Sequence, residues 1–411
     1  MPLLSDQLKS LGVRVGAQDL HPPRPRPGVP IEQVMDGRFV DTAYGQAFVV
    51  ETCHPSTYMQ GKMGLQLVNS LATIAAWANE PRLLDLNSDE FVFLDTETSG
   101  IAGGSGTYAF LVGVGRLEAE GFRLAQYFMR DPLEEPAQLA ALIGFLGECP
   151  ALVSFNGKAF DVPILNARFT LNSELSPFKS SAHLDLLPLA RRLWRDRLPE
   201  RRLRELERHI LEMERSQEDV PGWLVPQLYF DYLRSGDARP LKGVFYHNAM
   251  DVISLAALLN QIAAMLETPP DSASHHTLDV FAIGKLYEAL GDVEGAAEYY
   301  AQSFASDLPE AILTQLLQRW SLLEKRRENW PKALELWQQA AQRQEIYAHI
   351  ELAKYYEHRQ HDYPTAIQWT KQAIGIASSP TFSKGEGRLW LKELEHRLMR
   401  LQIKLLSLTK P

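Results

Sequence analysis

Residues 91–100 read FVFLDTETSG, and the fold turns on how they are read. Phe91, Val92, Phe93 and Leu94 form a short apolar run of the kind that fills a buried strand. The run passes directly into Asp95-Thr96-Glu97. Side chains two apart on a strand share a face, so Asp95 and Glu97 project together where the strand ends. Two carboxylates held that close repel, and burying them is costly unless a positive charge neutralises them. A divalent cation does so directly, and hard oxygen donors suit Mg²⁺ or Mn²⁺. A solvated Asp-x-Glu at a strand end is the plainer reading, and the tripeptide alone leaves both open.

Toward the N-terminus, residues 37–51 (GRFVDTAYGQAFVVE) read as two short strands around a turn at Tyr44-Gly45. Leu65 to Ala78 carries apolar residues at helical spacing. Together, residues 31–85 are expected to form a small subdomain. Residues 1–30 are expected to be a short helix through Leu3, Leu4, Leu8 and Leu11, then an extended linker, HPPRPRPGVP.

Toward the C-terminus, residues 100–106 (GIAGGSG) hold four glycines. They match neither the P-loop nor the dinucleotide fingerprint. Thr107 to Leu117 and Phe122 to Met129 read as strands joined by the turn at Glu118 to Gly121, which predicts an antiparallel meander. Leu133 to Cys149 is expected to be helical, and Ala151 to Phe155 is a fourth strand entered after that crossover. The expected fold is an α/β layered domain with a mixed sheet, spanning residues 86–266. From His183 to Leu266 only helices are expected. The run RRLWRDRLPERRLRELERH, Arg191 to His209, is either a solvated helical face or a stripe that tracks phosphates.

Beyond Asp279 three segments look alike, beginning at Gly291, Asn329 and Asp362. Their aligned alanines, Ala296, Ala333 and Ala366, are 37 and 33 residues apart. Periods near 34 indicate tetratricopeptide-like helix pairs over residues 277–411, joined through the polar stretch ETPPDSASHH, Glu267 to His276. Such repeats suit a protein partner.

At 411 residues the chain has room for two or three domains. Its 45% hydrophobic and 23% charged content fit an ordinary soluble protein. No run is expected to cross a membrane, and the N-terminus does not read as a secretory signal. Two cysteines, Cys53 and Cys149, make no disulfide framework, so a cytoplasmic setting is expected. A net charge of −9 argues against a non-specific coat protein for nucleic acid, but not against a nucleic-acid enzyme whose positive charge is local and whose carboxylates hold metal.

Two further acids carry the chemistry. After the fourth strand, Asn156-Gly157 turns the chain and Asp161 opens the next helix. Asp251 lies in YHNAMD, residues 246–251, expected near the N-terminal end of an apolar helix. This order resembles the DEDD exonucleases of the ribonuclease H-like fold, and more closely the YprB-type ribonuclease H-like group. The resemblance covers Phe91 to Leu266 through LDTETSGIAGGSGTYAFLVG, FNGKAFDVPIL, HLDLLPLARRLW, PGWLVPQLYFDYLRSGD and FYHNAMDVISL.

What the resemblance implies is a nucleic-acid phosphodiesterase, typically a 3′-to-5′ exonuclease on single strands. Asp95, Glu97, Asp161 and Asp251 would hold two Mg²⁺ or Mn²⁺ ions. Thr98, Asn156, Arg201, Arg202 and Arg204 are candidate nucleic-acid contacts. One branch of the family places a His five residues before the last Asp, another a Tyr four before it. Here His247 is four before Asp251 and Tyr246 five before. On a helix, positions four apart differ by about 40° and positions five apart by about 140°, so His247 is the expected base. An endonuclease on the same fold, and a binding or scaffold protein with an inactive nuclease-like domain, remain as alternatives.

Overall fold

The computed structural model describes residues 28–100, 106–272, 275–379 and 384–408. The expected N-terminal helix, most of the proline-rich linker and the centre of the glycine run at 101–105 lie outside them, as do positions 273 and 274 of the linker read at Glu267 to His276. Two compact units are present. One takes the chain up to Val68, Glu80–Leu186 and Arg202–Gln261; the other takes Asn69–Asn79, Leu187–Arg201 and everything from Ile262 onward.

The first unit is built on a mixed sheet of seven strands: β1 (Arg38–Thr42), β2 (Gly45–Pro55), β5 (Phe91–Thr98), β6 (Ala109–Glu118), β7 (Gly121–Phe128), β8 (Ala151–Ser154) and β9 (Ala182–Asp185). Their order is β1-β2-β7-β6-β5-β8-β9, while the two-residue strands β3 (Met59–Gln60) and β4 (Met63–Gly64) pair with each other. The expected meander is present as β5-β6-β7, antiparallel throughout. After the helix Glu135–Leu146, β8 returns parallel to β5. Val92 and Leu94 pack into one face of the core with Leu142, Leu152, Leu165 and Phe169. Phe93 lies on the opposite face, its ring 5.7 Å from that of Phe122.

Several expectations need correction. Residues 31–85 are not a separate subdomain at their start, because β2 pairs antiparallel with β7 and carries β1 into the main sheet. The helix near Leu65 begins only at Ala72, where the Ser70 hydroxyl accepts the Ala72 N–H at 3.1 Å. Ala182–Asp185 is a parallel edge strand rather than helix. Its four residues run straight into the helix Leu186–Trp194, so no turn signal separates the two periods. The arginine run is not one helix either. It leaves helical geometry after Trp194, where Pro199 cannot supply a helical N–H, and resumes at Leu203–Leu206. Asp251 lies well inside the helix Lys242–Glu267, not near its start. Counted from Arg239, that helix is long and apolar enough to cross a membrane by length and composition, though it is mostly buried within the fold.

The second unit is mostly helical. From Thr277–Leu290 to Lys384–Leu408, seven helices follow in series, each packed on its neighbour in sequence. Ala296, Ala333 and Ala366 are all fully buried. Pro331 and Pro364 fall in the first turns of their helices. The buried carboxylate of Glu357 is held by Arg397, Arg400 and Lys404 of the last helix. Leu187–Arg201 belongs to this unit through Arg197, which pairs with Asp279 at 2.5 Å, and Asp196, which pairs with Lys285 at 2.5 Å.

A chain ending at Glu267 would remove Asp279 and Lys285 while keeping their partners. It is expected to melt at least about 5 °C below the full chain. Equal melting of the two proteins by circular dichroism would show that the Leu187–Arg201 segment does not depend on the helices after Glu267.

Candidate active site

Alternation along β5 sends Asp95 and Glu97 to the face that carries Phe93, and Thr96 to the other. The helix Lys242–Glu267 covers the first face. It lies close because β6 carries glycines there. A Cβ at Gly113 would sit 2.2 Å from Asn248 Oδ1, and one at Gly115 would sit 2.9 Å from Val252. Gly113 stands opposite Asp95 in the β5–β6 register. The close approach lets the fully buried Asn248 donate from Nδ2 to Asp95 Oδ2 at 2.9 Å. It also turns His247 and Asp251 toward Glu97. One potential metal-ligating atom from each of Glu97, His247 and Asp251 lies within 4.8 Å of the others. Tyr246 is occupied elsewhere, its hydroxyl accepting the Ser216 N–H at 2.9 Å.

Asp161 reaches the same strand end from β8. Asn156 takes a left-handed φ of 68°, and a Cβ on Gly157 would sit 2.3 Å from Ser154 Oγ, so the turn requires this glycine. Asp185 pins the turn by accepting the N–H groups of Asn156 at 2.8 Å and Lys158 at 3.2 Å. Asp161 then opens the helix Asp161–Leu171, and the Thr96 hydroxyl donates to its Oδ1 at 2.5 Å.

Arg215, Asp219 and Glu207 complete the site, and sequence reasoning missed all three. The Arg215 side chain is 1% exposed. Its guanidinium holds Glu207 through two hydrogen bonds of 2.6 and 2.7 Å, pairs with Asp251, and lies 3.5 Å from Asp219. Ser254 also donates to Glu207, at 2.6 Å. His247 Nδ1 lies 2.7 Å from Asp219 Oδ1, while Nε2 lies 3.5 Å from Asp251 Oδ2. A carboxylate on Nδ1 fixes the proton there and leaves Nε2 as the acceptor nitrogen. Arg215 and Asp219 sit in EMERSQED, where charge looks like ordinary solvated loop. Asn248, next to His247, was the one partner that position alone could have suggested.

The electrostatics record the crowding. Burial, then Asp251, Glu97 and Asp161, push the Asp95 carboxyl well above its usual range. Burial, with Asp251 and Asp161, pushes Glu97 up to about 8, against the opposing pull of His247 and Arg215. Burial raises Asp161 to about 6 despite the Thr96 hydrogen bond. For His247 burial alone would lower the pKa, but Asp251 and Glu97 outweigh it and the net shift is upward. Six carboxylates (Asp95, Glu97, Asp161, Glu207, Asp219 and Asp251) thus gather around the buried Arg215 guanidinium and the His247 imidazole, with the exposed Arg204 3.4 Å from Asp219. The donor set fits divalent cations: carboxylate oxygens suit Mg²⁺ or Mn²⁺, and the imidazole beside them is better matched to Mn²⁺.

The candidate nucleic-acid contacts are scattered. The Thr98 hydroxyl donates to the Gly100 carbonyl at 3.1 Å, and Asn156 is described above as a turn residue. Arg204 lies 3.4 Å from Asp219, and Arg202 is exposed at the start of the helix Leu203–Leu206. Arg201 falls in the second unit.

A family model of the RNase_H superfamily matches residues 92–263. The uncharacterized protein YprB of Bacillus subtilis (strain 168) is 31% identical over 297 residues, 71% of each chain. The family B DNA polymerase from the hyperthermophilic archaeon Pyrobaculum calidifontis resembles 51% of this chain at 18% identity and a TM-score of 0.35. The chain spans 29% of that polymerase's length.

Two predictions follow from the charge balance. In EDTA, Glu97 and Asp161 bind protons in the folded state at pH values where the unfolded chain has lost them. Stability should therefore fall as pH rises from about 4 to about 8. Asp95→Asn should flatten that fall and raise the melting temperature at pH 8, whereas a steeper fall in the variant would contradict the crowding. Arg215→Met leaves buried Glu207 without its cation and should cost roughly 3–5 kcal/mol in urea unfolding, with Arg215→Lys losing less. A cost near zero for the methionine variant would mean that Arg215 is not the cation this cluster relies on.

Proposed function

The chain belongs to the family of Bacillus subtilis YprB, within the ribonuclease H superfamily, and from that premise we propose a metal-dependent nuclease. In its specific form it is a 3′-to-5′ exonuclease on single-stranded nucleic acid. The observation that carries this reading is the convergence of Glu97, His247 and Asp251 at the end of the strand that also bears Asp95. Asp95, Glu97, Asp161 and Asp251 are the residues that would hold two Mg²⁺ or Mn²⁺ ions. Such ions, when bound, lower the pKa of an attacking water and stabilise the leaving 3′-oxygen.

The protein's own groups supply the rest. Nε2 of His247 takes the proton of the water, and Asp219 holds the imidazole in the tautomer that can do so. The conjugate imidazolium is stabilised by Asp251 and Glu97, whose charges already raise its pKa. Asn248 fixes the rotamer of Asp95. Arg215 ties Asp251 to Glu207, so the fourth acid is held before substrate arrives. The helices after Thr277 would form tetratricopeptide-like pairs offering a surface to a further partner, and the expected setting is cytoplasmic.

One observation favours a second reading. The Arg215 guanidinium already engages Asp251, as a cation would. A protein that uses this domain to bind nucleic acid, or only as a scaffold, would need no more. Incubation with 3′- and 5′-labelled single strands separates the two readings. The nuclease reading expects shortening from the 3′ end with Mg²⁺ or Mn²⁺ and none with EDTA. Asp95→Asn should abolish it, and His247→Gln should slow it by about 10²–10⁴-fold. Intact strands with every metal, from a protein that still binds them, would decide for the second reading.

A further inference from the structure

The second unit carries a concentration of positive charge that the proposed chemistry does not use. On the helix Leu186–Trp194, Leu189, Ala190, Leu193 and Trp194 are buried. Pro188, Arg191, Arg192 and Arg195 follow a spacing of three and four residues that brings them to one side. With Arg201, Lys285 and Arg319 these arginines line a cavity of about 650 Å³, whose only carboxylate is Asp196.

Internal pairing accounts for only part of that charge. Lys285 is paired with Asp196, and Arg319 with Glu288 at 2.9 Å. Arg192 donates to the Lys285 carbonyl at 2.6 Å, and Arg201 to the carbonyls of Leu198 and Pro199 at 2.9 and 2.8 Å. These are neutral acceptors that leave the charge uncompensated. The Nε of Arg201 is buried without a hydrogen-bond partner. Among the described residues, no ion pair is made by Arg191, Arg192, Arg195 or Arg201. Four like charges gathered in this way repel, in a chain whose net charge is −9.

A second cavity, of about 800 Å³, adjoins the first through their shared residue Arg319. It adds Arg359, but its Lys325 and Arg326 are ion-paired with Glu351 and Glu288, and Leu322 and Trp330 also line it, so it is a mixed surface rather than a continuation of the arginine cluster. At about 650 Å³ the first cavity is by itself an arginine-lined track roomier than a single phosphate group needs.

We propose that this track binds the sugar-phosphate backbone of a single nucleic-acid strand, without regard to base sequence. The guanidinium fork fits phosphate oxygens in pairs. No aromatic side chain lines the first cavity, so there is no platform there for stacking a base. Pro188 is its one apolar lining residue, whereas a protein partner would be expected to need apolar anchors. The nucleic-acid reading of the whole chain supplies the identity of the polyanion, while the charge and shape of the track stand without it.

The test uses the full chain in EDTA, where cleavage cannot intervene. Binding of labelled oligothymidine and of a mixed-sequence strand is followed by fluorescence anisotropy across a salt series. The wild type should bind both alike. Arg191→Gln/Arg195→Gln should weaken both roughly ten-fold and flatten the log–log salt slope by about 1.4, two single-strand phosphate contacts at about 0.7 each. Both positions are exposed, so an unchanged melting curve is expected, and Arg191→Lys/Arg195→Lys should recover most of the affinity. Wild-type affinity and slope in the glutamine variant would overturn the proposal. Competition by polyglutamate as effective as that by inorganic polyphosphate would also overturn it, since the track would then read charge rather than phosphate. A protein that passes this test but cleaves nothing with Mn²⁺ would lose the nuclease reading and keep this one.

Discussion

Repulsion among buried carboxylates is the constraint to which this site answers. Asp95, Glu97 and Asp161 reach one strand end from two strands, and Asp251 joins them from a helix. Asp251, Glu97 and Asp161 raise the proton affinity of Asp95, and Asp251 and Asp161 raise that of Glu97. A fold that aims to maximise its own stability would not gather them. Replacing buried charge by well-packed apolar groups is commonly neutral or stabilising, so an acid cluster of this kind indicates a ligand of opposite charge. Arg215 meets part of the demand from within the chain. Its charge is permanent and its position is covalently fixed, and the Glu97, His247 and Asp251 atoms beside it lie close enough to hold a metal ion as well.

The cluster exists only because the helix Lys242–Glu267 can lie against β6. Gly113 and Gly115 remove the side chains that would stand in the way. Asn248 fills the space with an amide that accepts from Gln126 and donates to Asp95. A side chain at Gly113 would therefore act on the chemistry through the helix, by moving His247 and Asp251 together. The irregular register between Glu97 and Thr98 adds to this, since a bulge at the end of β5 increases local twist just where the acids must diverge from the sheet.

The sequence made some of this legible and hid the rest for physical reasons. The strand of Phe91 to Leu94 declares itself because four apolar residues run into two acids of period two. The turn before Asp161 is visible in Asn156-Gly157, whose backbone needs are local. His247 and Asp251 share a face by spacing alone. The strand Ala182–Asp185 was hidden because it is too short to show a period before a helix begins. Arg215 and Glu207 were hidden because a buried ion pair and two solvated charges are spelled with the same letters. The glycines of β6 read as weak strand residues, since their reason is a helix more than a hundred residues away. The membership of Leu187–Arg201 in the helical unit depends on Asp279 and Lys285, which lie beyond the linker that composition suggested as the boundary.

The segment between Glu207 and Arg215 shows how the cation is kept in place. Glu207–Leu211 is a single π-helical turn, a form that departs from the regular helix and recurs at functional sites. Glu212 follows in left-handed geometry at φ 56°, which a side-chain-bearing residue adopts at a cost. The Met213 N–H then returns to the Glu207 carbonyl at 2.9 Å and closes the reversal. An ordinary helix would carry Arg215 away from Glu207, because positions eight apart lie more than two turns along the axis. The wound and reversed backbone brings Arg215 back onto the carboxylate of Glu207 and, beyond it, onto Asp251. Local strain is thus spent on a charge contact that regular secondary structure could not make. The position of the guanidinium is as much a product of the chain's folding as are the carboxylates that it faces.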